Sequence, residues 1–367
     1  MGELATPVPR PGILDISPYV GGRSKVPGGG GERVIKLASN ESPLGPSPRA
    51  VAAYHEAAAS LHRYPDGGAT ALREALGRRH DLDPGRIVCG AGSDELISLL
   101  VHAYAGPGDE VLHSEYGFLM YPIAARSAGA LPVTAAEPEL KTDVDGLLAR
   151  ATPRTRIIFL ANPNNPTGSY LSTAELRRLR QGLPGDALLV IDAAYAEYVG
   201  AADYNPGAEL VGDCDNVVMT RTFSKMYGLA AMRLGWAYCP PAVADVLNRV
   251  RGPFNVSGPT LAAGEAAVAA TDHVEAARRH NERWLPRLSA DLAGLGLTVY
   301  PSVANFVLVR FPPEAGRTAD AANAFLLDRG IIPRTMGGYR LPDCLRISIG
   351  LDDEMPALVA ALTDFMS

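Results

Sequence analysis

The sequence predicts an α/β protein: a mostly parallel central sheet flanked by helices, followed by a smaller α+β unit. Three observations carry this. Short apolar runs alternate with amphipathic stretches from about residue 47 to 225. Each strong apolar run is followed by a turn bearing Gly, Asn or an acid. After about residue 260 the alternation gives way to a long Ala- and Arg-rich helical stretch and then short strands.

Taken in order, "VPGGGGER" at residues 26–33 reads as a loop, because Pro27 and four glycines cannot hold a regular element. Residues 47–60 and 69–80 read as helices. "RIVCG" is a short strand ending in Gly90, and "SDELISLLVHAYA" is a helix capped by Ser93 with acids in its first turn. "DEVLHS", "RIIFLANP", "ALLVIDAAY" and "NVVMTRTFSK" are strands. Beyond residue 260 the helical stretch should be interrupted at Pro286. "LTVYPSVANFVLVRF" and "CLRISIG" follow as strands. Strands that are apolar throughout imply burial on both faces, and in such sheets ligands sit at the carboxyl ends.

Composition excludes several classes of function. The 367 residues carry a net charge of −6, with 47% apolar and 20% charged residues. No basic stripe for nucleic acid is visible. Cys89, Cys214, Cys239 and Cys344 are far apart, so neither a zinc site nor a disulfide framework is expected. The start of the chain lacks an apolar signal region, and the low-charge run at 253–271 is broken by Pro, Gly and Glu265. A cytoplasmic location with no membrane partner and no metal is the expectation.

Four motifs fall at strand ends. In "CGAGSDELI" a Gly-rich turn opens a helix, which makes an anion site or a plain βα turn. It is not the dinucleotide fingerprint, since Glu95 stands where the third Gly belongs. In "ANPNNPTG", Asn165 offers an amide to a ligand oxygen or belongs to a rigid loop. Asp192 in "VIDAAYAEY" is a costly buried acid that faces a cation or caps a helix. Lys225 in "TRTFSKMYGLAAMRLGW" is a pocket amine or a snorkelling surface lysine. An anion cradle, an amide, a buried acid, an amine and Arg233 together form the kit for pyridoxal 5′-phosphate.

At this point the chain resembles the fold-type I pyridoxal-phosphate aminotransferases, specifically the histidinol-phosphate aminotransferase family. The motifs "KLASNESPLGPSP", "RYPDG", "GAGSDELI", "FLMYPIAA", "NPNNPTG", "DAAYAEY", "TFSKMYGLAAMRLGW" and "CLRISIG" stand in the family's order along nearly the whole chain. The resemblance implies that Lys225 binds the cofactor aldehyde and later moves the substrate Cα proton. It implies that Asp192 pairs with the ring nitrogen, and that Asn165 and Tyr195 bond the ring hydroxyl oxygen. Phe118 stacks on the ring, with Tyr116 as the other candidate. Ser93, Asp94, Ser224 and Arg233 hold the phosphate. Tyr64 reaches the partner subunit's cofactor, which makes a homodimer with shared sites. Asn40, Arg334 and Arg346 bind the substrate, with a rim salt bridge as the alternative for Arg334. Arg221 has no assigned partner, and a surface ion pair or one behind the site is its default.

The resemblance also implies a large cofactor-binding domain at 45–260 and a small domain at 261–367, with the segment 1–44 packing on the latter. It implies ping-pong transfer of an amino group between L-histidinol phosphate and 2-oxoglutarate. An aromatic amino acid aminotransferase is the alternative. A threonine-phosphate decarboxylase, a nucleotide-binding dehydrogenase or a non-catalytic binding protein of the same fold stand behind it. The chain departs from many relatives at Ala193, where they carry an acid.

Overall fold

In the computed structural model, residues 7–26 and 34–367 are described. The glycine loop read at residues 26–33 lies outside them, except for Val26. Thirteen strands form along the described chain. They are β1 (Ile35–Lys36), β2 (Ile87–Gly90), β3 (Glu110–Ser114), β4 (Leu131–Ala135) and β5 (Thr155–Ala161). Next come β6 (Leu188–Asp192), β7 (Val217–Thr222), β8 (Gly235–Tyr238), β9 (Thr298–Tyr300) and β10 (Phe306–Arg310). The last are β11 (Ile331–Ile332), β12 (Arg334–Thr335) and β13 (Cys344–Ser348).

The central sheet has seven strands in the order β2-β8-β7-β6-β5-β3-β4. All neighbours are parallel except β8, which runs antiparallel to both β2 and β7. Successive side chains in a strand point to opposite faces. Ile157 and Phe159 therefore join one buried cluster with Val190 and Val218, while Ile158 and Leu160 join the other with Leu189 and Met219. Helices such as Ser93–Tyr104 cover one face and Thr70–His80 the other, so both faces are dry.

A second, antiparallel sheet has the order β12-β13-β10-β9. β1 pairs in parallel with β11, Ile35 opposite Ile331, which ties the N-terminal segment to the far end of the chain. The carboxyl ends of β5, β6 and β7 open toward β13, and the site forms there.

Two sequence expectations need correction. Ser93 does not cap the helix Ser93–Tyr104; Gly92 does, at φ +86, a conformation that glycine adopts freely. Pro286 does not interrupt its helix, which runs unbroken as Thr271–Gly294. Ala277, Asn281, Trp284, Leu288 and Leu292, three to four residues apart, bury one continuous face of it. Pro286 lies on the exposed side, where water can take the carbonyl that proline frees. Pro286→Ala should therefore keep the helix and restore one backbone hydrogen bond. The expected gain is roughly 1 kcal/mol, the helix penalty of proline less its effect on the unfolded chain, read as a higher Tm.

Candidate active site

A cavity of about 320 Å3 opens at the carboxyl ends of β5, β6 and β7. Asp192 closes β6 there and is only 5% exposed. A carboxylate in such a place is costly, and burial pushes its carboxyl up to about 6. Two hydroxyls act against that rise: Tyr121 donates to Oδ2 at 2.9 Å and Thr220 to Oδ1 at 3.2 Å. No helix begins at Asp192, so it is not a cap. It is an acid that calls for a cationic partner.

Lys225 follows β7 by three residues. Its amine reaches into the cavity, donates to the Ser39 carbonyl at 2.9 Å and lies 5.8 Å from the centre of the Tyr195 ring. The snorkelling alternative is thereby excluded. Burial, assisted by the Arg346 guanidinium, lowers the amine to about 8. A substantial neutral fraction at physiological pH makes it a nucleophile and a base.

One end of the cavity suits an anion. Ser93 and Asp94 begin the helix Ser93–Tyr104, whose N-terminus carries partial positive charge. Arg233 donates to Ser224 Oγ at 3.3 Å and pairs with Asp94 at 3.0 Å. The space is set by glycine: a Cβ on Gly92 would stand 2.4 Å from the Arg233 guanidinium. A phosphate has a cradle here.

The opposite end is also cationic. Arg346, on β13, donates to the Ala38 carbonyl at 2.9 Å and to Asn165 Oδ1. Both acceptors are neutral, and burial lowers the guanidinium from its ordinary value. Its Nε has no partner among the described residues. A buried cation with a free donor is suited to an incoming carboxylate or phosphate. Asn40 donates to the Tyr195 hydroxyl at 2.9 Å and accepts from Ser348 at 3.0 Å. Arg334, opposite Arg346 in the sheet register, lines the cavity and donates to the Val20 carbonyl at 2.6 Å. No acid pairs with it among the described residues, so the rim salt bridge is not what holds it.

Phe118 lines the cavity between these ends, whereas Tyr116 packs instead beside Leu140, Met336 and Tyr339. Tyr64 stands apart: it is 83% exposed and stacks on Phe254 with ring centres 4.6 Å apart. Arg221 is not a surface residue. It is buried in an ion pair with Glu197 at 2.8 Å, its guanidinium 5.5 Å from the centre of the Trp236 ring. This pair links the turn after Tyr195 to the strand before Lys225. Ala193 is fully buried and is not among the residues that line the cavity.

Sequence reasoning missed several contributors. Tyr19, Gly21 and Gly22 line the cavity from a segment without helix or strand, and Tyr19 meets Phe118 edge-on at 6.1 Å. Nothing periodic marks them. Glu137, buried beyond β4, accepts from the Tyr116 amide at 2.5 Å, from Thr142 at 2.7 Å and from Asn164 at 3.2 Å. It thereby joins the loop bearing Phe118 to the loop bearing Asn165. An acid after an apolar run was the available signal.

The sequence pattern described as aminotransferase class I and II matches residues 32–362. Histidinol-phosphate aminotransferase of Paramagnetospirillum magneticum is 61% identical over 363 residues, covering 99% of each chain. That of Rhodospirillum centenum is 59% identical with the same coverage. The crystal structure of histidinol-phosphate aminotransferase from Sinorhizobium meliloti in complex with pyridoxal-5′-phosphate is similar at a TM-score of 0.89 and 31% identity, covering 99% and 98% of the two chains. The chain belongs to the class I and II aminotransferases and, among them, to the histidinol-phosphate aminotransferase family.

Proposed function

We propose that this chain is a histidinol-phosphate aminotransferase. It moves an amino group reversibly between L-histidinol phosphate and 2-oxoglutarate, with pyridoxal 5′-phosphate as cofactor. The observation that carries the reading is the Lys225 amine, enclosed with Asp192 on one side and two cationic ends beyond. The residues fit the cofactor at each of its functional groups. Asp192, unable to ionise cheaply alone, suits a protonated ring nitrogen. The Gly92 cradle with Ser93, Asp94, Ser224 and Arg233 suits a phosphate. Asn165 and Tyr195 suit the ring hydroxyl oxygen, and Phe118 covers the ring face.

When bound, the cofactor ring takes up the electrons released as the substrate Cα–H bond breaks. The chain does the rest. Lys225 holds the cofactor at rest, yields its place to the substrate amine and then carries the Cα proton on Nζ. Asp192 keeps the ring nitrogen protonated. Arg346, with Asn40 and Arg334, grips the substrate's anionic group and fixes which bond stands ready to break.

Tyr64, exposed and next to Phe254, is taken to reach the cofactor phosphate of a second copy, which makes the working form a homodimer. A cytoplasmic setting belongs to the same reading, and no helix among the described residues is long and apolar enough to cross a membrane. The division into 1–44, 45–260 and 261–367 belongs to the same reading; the separate sheets and the β1–β11 pair favour two domains, while the helix Gly258–Ala269 packs with the core of the large one and moves its boundary to about residue 270.

With 2-oxoglutarate as acceptor, kcat/KM for L-histidinol phosphate should exceed those for phenylalanine and tyrosine by on the order of 100-fold, because a phosphate dianion offers Arg346, Asn40 and Arg334 more charge and more acceptor oxygens than the α-carboxylate of either amino acid. A preference for either aromatic amino acid would replace this reading by the aromatic one. Lys225→Ala should lower kcat by at least about 1,000-fold, and borohydride should fix the wild-type cofactor on Lys225.

Two predictions concern titration. The chain's lysines are Lys25, Lys36, Lys141 and Lys225, so peptide mapping resolves them. Acylation of Lys225 in the cofactor-free enzyme should rise with pH through a midpoint near 8, well below that of an ordinary lysine. For Asp192 the folded value of about 6 lies above the ordinary 3.8. Its contribution to stability is complete below 3.8 and is lost as pH rises through 6. The cofactor-free Asp192→Asn variant should therefore gain on wild type by on the order of 3 kcal/mol between pH 3.5 and 7, measured by denaturant unfolding.

A further inference from the structure

We propose that Tyr121 is a positioning residue for this reaction: its hydroxyl holds Asp192 ionised and aimed at the ring nitrogen of the cofactor. The inference rests on the reading of Asp192 given above. Tyr121 does not line the cavity and is fully buried behind Phe118. It sits in the first turn of the helix Met120–Ala128. Its ring lies flat on Phe159, with centres 4.6 Å apart and planes 4° apart. Phe118 closes one side edge-on at 5.9 Å and His113 another at 6.3 Å. A ring packed in this way leaves its hydroxyl one direction, and that direction ends on Asp192 Oδ2 at 2.9 Å.

The chemistry requires such a donor. A dry carboxylate prefers to take a proton, and a protonated Asp192 cannot keep the ring nitrogen protonated. A hydrogen bond to the charged form opposes this. Thr220 supplies one such bond, which is longer by 0.3 Å. Tyr121 supplies the shorter one and remains a donor, because burial and the charge of Asp192 push its hydroxyl well above the ordinary range. Asp94, Tyr195, Tyr204, Tyr339 and His113 are the other titratable groups around the pair. None of these five bonds to Asp192 through its side chain, as Tyr121 does.

The test uses a double-mutant cycle on the holoenzyme: wild type, Tyr121→Phe, Asp192→Asn and the double variant. Phenylalanine retains the stack on Phe159 and removes only the hydroxyl. Four quantities are read: the pH midpoint of the bound cofactor's visible absorbance, the Kd of pyridoxal phosphate for the apoenzyme, kcat and KM. Tyr121→Phe should raise the midpoint by about one unit and the Kd by about tenfold, the scale of one hydrogen bond to a charged group. It should lower kcat with little change in KM. In the Asp192→Asn background the same substitution should change neither the midpoint nor the Kd further.

An unmoved midpoint and Kd in Tyr121→Phe would overturn the inference, as would an equal shift in the Asp192→Asn background, which would mean that Tyr121 acts through packing alone. A wild type without visible absorbance and without label on Lys225 would instead overturn the cofactor reading itself.

Discussion

The constraint on which this structure depends is the enclosure of charge without its counter-charge. Asp192, Lys225 and Arg346 lie in one cavity, and no described residue gives any of them an opposite charge in contact. Each is instead held by neutral hydrogen bonds from hydroxyls or to carbonyls. That arrangement is expensive in the empty protein, and the expense is what gives the cavity its affinity and its chemistry. A ligand carrying a cationic nitrogen, an aldehyde and two anionic groups answers every one of these demands. The site is thus complementary in charge to a cofactor and substrate together, and to neither alone.

The rest of the fold can be understood as what keeps this arrangement in place. A mostly parallel sheet buried on both faces delivers Ala161, Asp192 and Thr220 side by side at its carboxyl edge, with Asn165 and Lys225 just beyond it. The antiparallel sheet brings Arg346 and Arg334 in register from the other side. Where a counter-charge is available within the chain, as for Arg221 and Glu197, the pair is buried just behind the site and braces the elements that carry Tyr195 and Lys225. Charge is satisfied in the scaffold, whereas in the cavity Arg233 has Asp94 and the three groups Asp192, Lys225 and Arg346 have no opposite charge in contact among the described residues.

Much of this was legible in the sequence. Apolar runs ending at Gly90 and Asp192, and the run leading to Lys225, marked the sheet and the edge where ligands gather, although the Gly also fitted a plain turn and the acid a helix cap. Lys225, Asp192, Asn165, Arg233, Phe118 and Arg346 all reach the cavity. Short-range physics failed where tertiary contacts decide. Pro286 ought to break a helix, but the buried face of Trp284 and Leu288 outweighs one missing hydrogen bond. Arg221 finds Glu197 across 24 residues, a pairing that spacing alone cannot reveal. Tyr19 and Gly22 reach the cavity from a segment with no periodicity at all.

Glu137 carries a consequence of another kind. One carboxylate is shared by the loop that presents Phe118 and the loop that presents Asn165. The two loops are far apart in the chain, yet they are mechanically a single part. Anyone grafting either loop from a relative, to build a chimera with altered preference, would be transplanting half of a hinge. The graft keeps its shape only if the acid beyond β4 travels with it.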